Sequence, residues 1–175
     1  VLKDAFYDLK EIIDFKKLDN IFIRNFGSNS KIRILACILE SMQIISNSSG
    51  DTYYYREEIS NALNKEFNII LGDEVFESVL NELAESNKIV FKDRKIYLEK
   101  YYTAEENVAK SLKKIDSHSI QKIADLMDKL VNLEKRIGID YNADQEKAIT
   151  SALNNNITII SGGPGTGKTT IINAI

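Results

Sequence analysis

The chain has 175 residues, 43% of them hydrophobic and 28% charged, a balance that suits a globular protein of one or two compact domains. Its formal net charge of -3 supplies no overall basic field, so any nucleic-acid contact must come from a local patch. A single cysteine, Cys37, and a single histidine, His118, exclude an internal disulfide, a cysteine-based zinc cluster and a multi-histidine metal site, and they suit a reducing cytoplasm.

From the N-terminus, Val1-Leu2-Lys3-Asp4 is no signal peptide and carries no initiator Met, and no apolar run approaches the roughly 20 residues that span a bilayer, so no membrane partner is expected. Leu2, Phe6, Leu9 and Ile13 recur at helical spacing, as do Leu18, Ile21, Phe22 and Asn25. Gly27-Ser28-Asn29-Ser30 breaks the pattern. Residues 31–46 form a helix on the stripe Ile34, Leu35, Ile38, Leu39 and Met42, with Cys37 inside as a small apolar residue. Asn47-Ser48-Ser49-Gly50 reads as a turn and Thr52-Tyr53-Tyr54-Tyr55 as a short strand. A helix over 56–65 turns Ile59, Ala62 and Leu63 inward, and another opens at Gly72-Asp73 carrying Val75, Phe76, Val79, Leu80 and Leu83.

Two strands, 88–92 and 95–98, are separated only by Asp93-Arg94, a hairpin-length connection. Helix, strand, helix, helix, hairpin is the element order of a winged-helix domain over residues 31–100. Thr103 to Glu106 reads as a capping box opening a further helix. A second arm helix covers about residues 119–133, with Ile123, Leu126, Met127 and Leu130 on one face, and Gly138 ends the arm. A helix over 143–153 follows, then the loop Asn154-Asn155-Asn156 and an apolar run, 157–160, of the buried parallel-strand type.

The residues that carry chemistry come next. Gly162-Gly163-Pro164-Gly165-Thr166-Gly167-Lys168-Thr169 fits G-x-x-x-x-G-K-[ST] at every fixed position, with a strand expected before it and a helix, from Thr170 on, after it. A triphosphate carries more charge than one side chain neutralises, so such a loop wraps it with backbone amides, and glycines let the main chain approach. Lys168 then reaches the β- and γ-phosphates, and the Thr169 hydroxyl is the expected magnesium ligand. ATP and Mg2+ are the implied cofactors. Upstream, Gln145 offers an amide donor and acceptor that match adenine, while Asn142 and Gln145 equally fit a helix N-cap and its capping-box partner.

Tyr141 to Gln145, Ala148-Ile149, and the run Ser161 to Thr170 resemble the opening of RecD/TraA-type ATP-dependent DNA helicases, often labelled exodeoxyribonuclease V alpha chain. Residues 53–105 are similar to the accessory region that precedes the motor in stand-alone members. The resemblance implies a superfamily-one, 5′-to-3′ motor acting in DNA recombination and repair. Its implied partners are DNA and the subunits of a nuclease–helicase complex. It favours Gln145 as the adenine reader. Family members carry a Gly-Ile-Gly-Phe-like hairpin near residues 1–30; here Ile12-Ile13-Asp14-Phe15 fills both glycine positions, one with an acid, which favours packing over phosphate binding although Lys16 and Lys17 follow.

The helix after Gly72 carries Asp73, Glu74, Glu77, Glu82 and Glu85 with no basic residue before Lys88, which excludes it as a major-groove reader. The hairpin clusters Lys88, Lys92, Arg94 and Lys95 with Tyr97, and Tyr53-Tyr54-Tyr55 and Tyr101-Tyr102 flank it. These suit a solvated hairpin with half-buried strand tyrosines; contact with a DNA backbone and stacking on bases are the other reading.

The expected fold class is mainly α with a small β hairpin (α+β). A helical segment (1–30), a winged-helix-like domain (31–100) and a helical arm (101–140) precede the first strand, P-loop and helix of a RecA-like α/β motor (141–175). Because the chain stops at Ile175, inside the motor, no ATP hydrolysis and only weak nucleotide binding are expected of it, and exposed edges at 157–160 invite self-association. The other function classes left open are another P-loop ATPase and a non-catalytic winged-helix interaction module.

Overall fold

The computed structural model describes residues 5–175; Leu2, the first member of the N-terminal pattern, lies outside the described residues. The chain divides into two compact units, one ending at Glu105 and the other beginning at Glu106.

The first unit opens with a 3₁₀ helix, Phe6–Glu11, where an α-helical stripe was expected. With three residues per turn the face changes: Tyr7 is buried while Leu9 stays 42% exposed. Helix α1 (Phe15–Phe26) is capped by Asp14, whose carboxylate accepts the Lys17 amide at 3.1 Å. It buries Leu18 and Phe22, and Ile21 points outward. Helix α2 (Lys31–Ser49) runs three residues past the expected end. Ser48 and Ser49 hydroxyls both return to the Ile45 carbonyl at 2.9 Å, and Gly50 supplies the left-handed stop, with φ 79°. This helix is central, and Cys37, Ile38 and Met42 are completely buried.

Strand β1 (Tyr53–Tyr54) leads into α3 (Arg56–Phe67) and α4 (Asp73–Glu85). Strands β2 (Ile89–Lys92) and β3 (Lys95–Leu98) form the expected hairpin, with both turn residues in the left-handed region, Asp93 at φ 50° and Arg94 at φ 64°. The sheet is antiparallel throughout in the order β1-β3-β2, pairing Tyr53 with Tyr97 and Lys92 with Lys95. Its inner face adds Tyr54, Ile89, Ile96 and Leu98 to a core built from α1 to α4.

Asp19 and Arg33, invisible as partners in the sequence, form a buried bidentate pair: Nε to Oδ1 at 2.8 Å and an η-nitrogen to Oδ2 at 2.9 Å. The Tyr7 hydroxyl donates to the same Oδ1 at 2.6 Å, and Arg33 also donates to the carbonyls of Ser28 and Phe67. One guanidinium thus ties α1, the 27–30 loop and the end of α3 together.

Helix α5 (Glu99–Asp116) starts directly at the end of β3. The capping box expected at Thr103 is therefore corrected: Thr103 lies one turn inside α5 and its hydroxyl donates to Glu99 at 2.6 Å. In the second unit, helix α6 (Leu126–Ile137) begins later than the expected 119, leaving Ile123 outside it, and ends at Gly138 with φ 68°. Helix α7 (Ala143–Asn154) matches expectation, and α8 (Lys168–Ile172) closes the order. Residues 157–160, expected as a strand, belong to no sheet among the described residues, and Ile159 is 90% exposed. A strand exists only through its ladder partners, and none of the described residues supplies one here. The small core of this unit joins Leu130, Tyr141, Ile149 and Ile171.

Candidate functional site

The loop lies between α7 and α8, and the start of α7 is built to face it. Asn142 caps α7: its Oδ1 accepts the amides of Asp144 at 3.1 Å and Gln145 at 3.0 Å, and its own amide donates to Gln145 Oε1 at 3.1 Å. This is a reciprocal capping box. It uses the oxygen of the Gln145 amide and leaves the nitrogen aimed at the loop. Gln145 Nε2 donates to the Thr166 carbonyl at 3.5 Å, the long limit of a hydrogen bond. The capping-box reading of Gln145 is thus met by its amide oxygen, while its amide nitrogen faces the loop.

Within the loop, Gly165 has φ 76° and Gly167 φ 81°, a region that side chains with a Cβ rarely adopt. Gly167 is also crowded, because a Cβ there would collide with Gln145 Nε2. The Thr166 hydroxyl donates to the Gly163 carbonyl at 2.9 Å and would stand 2.7 Å from a Cβ on Gly162. This brace across the loop is a feature the sequence reading missed, since the motif leaves position 166 free. Pro164 is exposed at the outer bend.

Lys168 is the first residue of α8, and its Nζ donates to the carbonyls of Gly162 and Gly163, both at 2.7 Å. The loop thus closes on its own lysine. Charge-assisted bonds to phosphate oxygens are roughly twice as strong as neutral hydrogen bonds, so a phosphate is a better partner for this ammonium than either carbonyl. Thr169 follows on the first turn, exposed, and Thr170 is half-buried beside it. Ile171, 5% exposed, anchors α8 into the core with Tyr141 and Ile149, which fixes the loop's C-terminal end. Among the described residues no group of three His, Cys, Asp or Glu side chains is arranged to hold a metal. In the loop itself, the exposed Thr169 hydroxyl is the group that could ligate a magnesium ion.

Elsewhere, in the 12–15 segment Phe15 is buried and Ile13 packs against the core, whereas Ile12 does not. Ile12 is 84% exposed, Asp14 is engaged as the α1 cap, and Lys16 donates to Glu66 at 2.8 Å. The hydrogen bond to Glu66, with its charge, raises the Lys16 pKa, and the same bond lowers that of Glu66. On α4 the acids Glu77 and Glu82 pair with Arg56 and Lys31.

Residues 145–175 match the family model described as AAA domain. More specific likenesses extend over about half of the chain. It is 38% identical over 88 residues to RecBCD enzyme subunit RecD of Buchnera aphidicola subsp. Schizaphis graminum, covering 48% of this chain and 14% of that relative. It is 38% identical over 93 residues to the RecD subunit of Buchnera aphidicola subsp. Acyrthosiphon pisum, covering 50% of this chain and again 14% of the relative. The resemblance to RecD-type helicases is borne out by these matches. The matched region spans only 14% of the length of these curated relatives. No helix among the described residues is long and apolar enough to cross a membrane.

Proposed function

We propose that this chain is part of an ATP-dependent DNA helicase of the RecD type, acting in recombination and repair, in which residues 162–169 grip the phosphates of ATP. The observation that supports this most directly is the loop itself: two left-handed glycines, and an ammonium held 2.7 Å from two loop carbonyls beside an exposed threonine hydroxyl. On nucleotide binding, Lys168 exchanges the Gly162 and Gly163 carbonyls for phosphate oxygens. Amides of residues 163–168 then line the phosphate chain, with Gly162 and Pro164 shaping the bend and Thr170 supporting the helix end. Magnesium supplies positive charge to the β- and γ-phosphates, and Thr169 holds it. Gln145 swings or shares its amide to read the adenine edge, with Asn142 fixing its starting orientation.

In this reading residues 31–100 are a winged-helix-like accessory domain, 101–140 a connecting arm and 141–175 the opening of a RecA-like motor. The 5′-to-3′ polarity and the association with nuclease subunits follow the resemblance.

The test is calorimetric titration of the purified protein with magnesium-ATP. Binding that weakens at least about tenfold in Lys168→Ala, the loss of one charge-assisted contact, supports the proposal. Equal binding by the two proteins removes it.

A further inference from the structure

The outer face of the three-stranded sheet carries a row of tyrosine rings, of which Tyr97 is buried at 8% exposure while Tyr53 and Tyr102 are half-buried and Tyr55 is exposed. Register places Tyr53, Tyr97 and Val90 side by side across β1, β3 and β2. The ring centroids of Tyr53 and Tyr97 are 5.9 Å apart, and Tyr102 from α5 meets Tyr97 edge-on at 5.4 Å. Tyr55 extends the row, edge-on to Tyr53 at 5.9 Å and 46% exposed. Four aromatic rings therefore form one continuous track, while the buried Tyr54 serves the core on the opposite face.

Cations lie along this track. Lys95 Nζ stands 3.8 Å over the Tyr53 ring centroid, and Lys92 Nζ stands 5.2 Å from that of Tyr102. Arg94 is exposed at the hairpin tip. Acids near the track in sequence are Asp51, Glu57, Glu58, Asp93, Glu99 and Glu105, of which Glu58 accepts the Tyr55 amide, Glu99 the Thr103 hydroxyl and Glu105 the Thr52 hydroxyl. From Lys92 to Tyr97 the hairpin holds three cations and one acid, in a chain whose net charge is negative. The acidic helix α4, by contrast, repels a polyanion.

We propose that this Tyr/Lys face binds single-stranded DNA, with bases stacking on Tyr53, Tyr55 and Tyr102, the buried Tyr97 holding Tyr53 and Tyr102 in place, and Lys92, Arg94 and Lys95 meeting the phosphates. Stacking is sequence-tolerant because every base has a π-face, and flanking cations track the backbone. Duplex DNA hides its base faces and cannot use the rings. A lysine poised over a ring moves a few ångströms to a phosphate and frees that ring for a base. The inference rests on the reading of the chain as part of a DNA helicase, and it assigns the accessory region a strand-holding role separate from the motor.

The experiment uses the 175-residue chain without nucleotide, so it is independent of the loop. Its outcome and that of the ATP titration can differ. Binding of fluorescein-labelled (dT)20 is followed by anisotropy at several salt concentrations. Because the chain has no tryptophan, tyrosine emission reports stacking directly. The expected result is saturable binding to (dT)20 over duplex of equal length, with a log–log salt slope of about -2 for three phosphates, and quenched tyrosine emission. Lys92→Ala/Lys95→Ala should flatten the salt slope, and Tyr55→Leu, at an exposed site, should weaken binding about tenfold with unchanged circular dichroism. Lys65→Ala, at an exposed lysine on α3 outside both the loop and the hairpin, should bind (dT)20 as the parent does. The proposal is overturned if (dT)20 does not bind, if the lysine and tyrosine variants bind it equally well, or if polyglutamate competes as strongly as (dT)20, which would make the face a protein-docking patch that reads charge alone.

Discussion

Arg33 holds Asp19 through two parallel hydrogen bonds, at 2.8 and 2.9 Å, with both side chains more than nine-tenths buried. Removing one partner of such a pair strands a charge in the interior, which costs about 3–5 kcal/mol. Arg33→Ala leaves the carboxylate with the Tyr7 hydroxyl and a long contact to the Cys37 thiol. Asp19→Ala leaves the guanidinium with the Ser28 and Phe67 carbonyls. Arg33→Ala is therefore expected to be the more damaging change. The double variant Asp19→Ala/Arg33→Met should recover part of the loss, as read by urea unfolding followed by circular dichroism.

Lys16 and Glu66 link α1 to the end of α3 on the surface, and their mutual hydrogen bond shifts both groups in the charged direction. The lowered carboxyl contributes stability that is present above its ordinary value of 4.5 and fades as pH falls through the lower folded value. The raised ammonium contributes stability that is present below 10.5 and fades as pH rises past the higher folded value. Glu66→Gln should therefore lower the thermal midpoint at pH 7 and make no difference at pH 2. A midpoint difference that persists in acid would contradict this account.

At Gly167 two constraints coincide, the left-handed φ of 81° and the Gln145 amide in the space a Cβ would fill. Gly167→Ala should weaken magnesium-ATP binding at least about tenfold, since a strained φ costs on the order of 1–3 kcal/mol. Combining it with Gln145→Ala removes the collision but not the φ strain, so binding should recover only in part. Full recovery in the double variant would show that crowding alone set the constraint.

The α7 cap is shared: Asn142 Oδ1 accepts the Asp144 and Gln145 backbone amides, and Gln145 Oε1 accepts the Asn142 backbone amide. Asn142→Ala should cost about 1 kcal/mol of stability. Because the backbone N–H that Gln145 Oε1 accepts is kept in the variant, the preference for ATP over GTP should change less than the stability does. Calorimetry with the two nucleotides separates these effects.

Asp93 and Arg94 both sit at positive φ in the hairpin turn. Arg94→Gly removes a steric penalty there and should stabilise the first unit by up to about 1 kcal/mol, although glycine's freedom in the unfolded chain takes back part of the gain. A higher urea midpoint is the expected result.

The sequence made some of this legible and hid the rest for identifiable reasons. The hairpin could be read because only two residues separate its strands, and the loop because its fixed glycines and lysine leave few alternatives. The Asp19–Arg33 pair could not be read, because an acid and a base 14 residues apart on separate helices look like two solvated charges. The start of α5 was misplaced because Thr103 and Glu106 carry the letters of a cap, yet the chain turns from strand to helix at Glu99 with no breaker between them. Residues 157–160 have the composition of a buried strand, but pairing is a relation to neighbours and composition cannot supply them. Of the two readings Gln145 presented, the capping box is visible because it needs only neighbours three residues away, whereas adenine contact depends on a ligand and not on the chain.

Cys37 sits in the wall of α2 with no exposed surface, its thiol pushed well above its ordinary range by burial and by the Asp19 carboxylate nearby. As the chain's single sulfhydryl, it will stay silent toward maleimide dyes while the fold is intact. An engineered surface cysteine, at Ser49 for example, then becomes the sole reactive handle, and a fluorophore can be attached there without first deleting the native one.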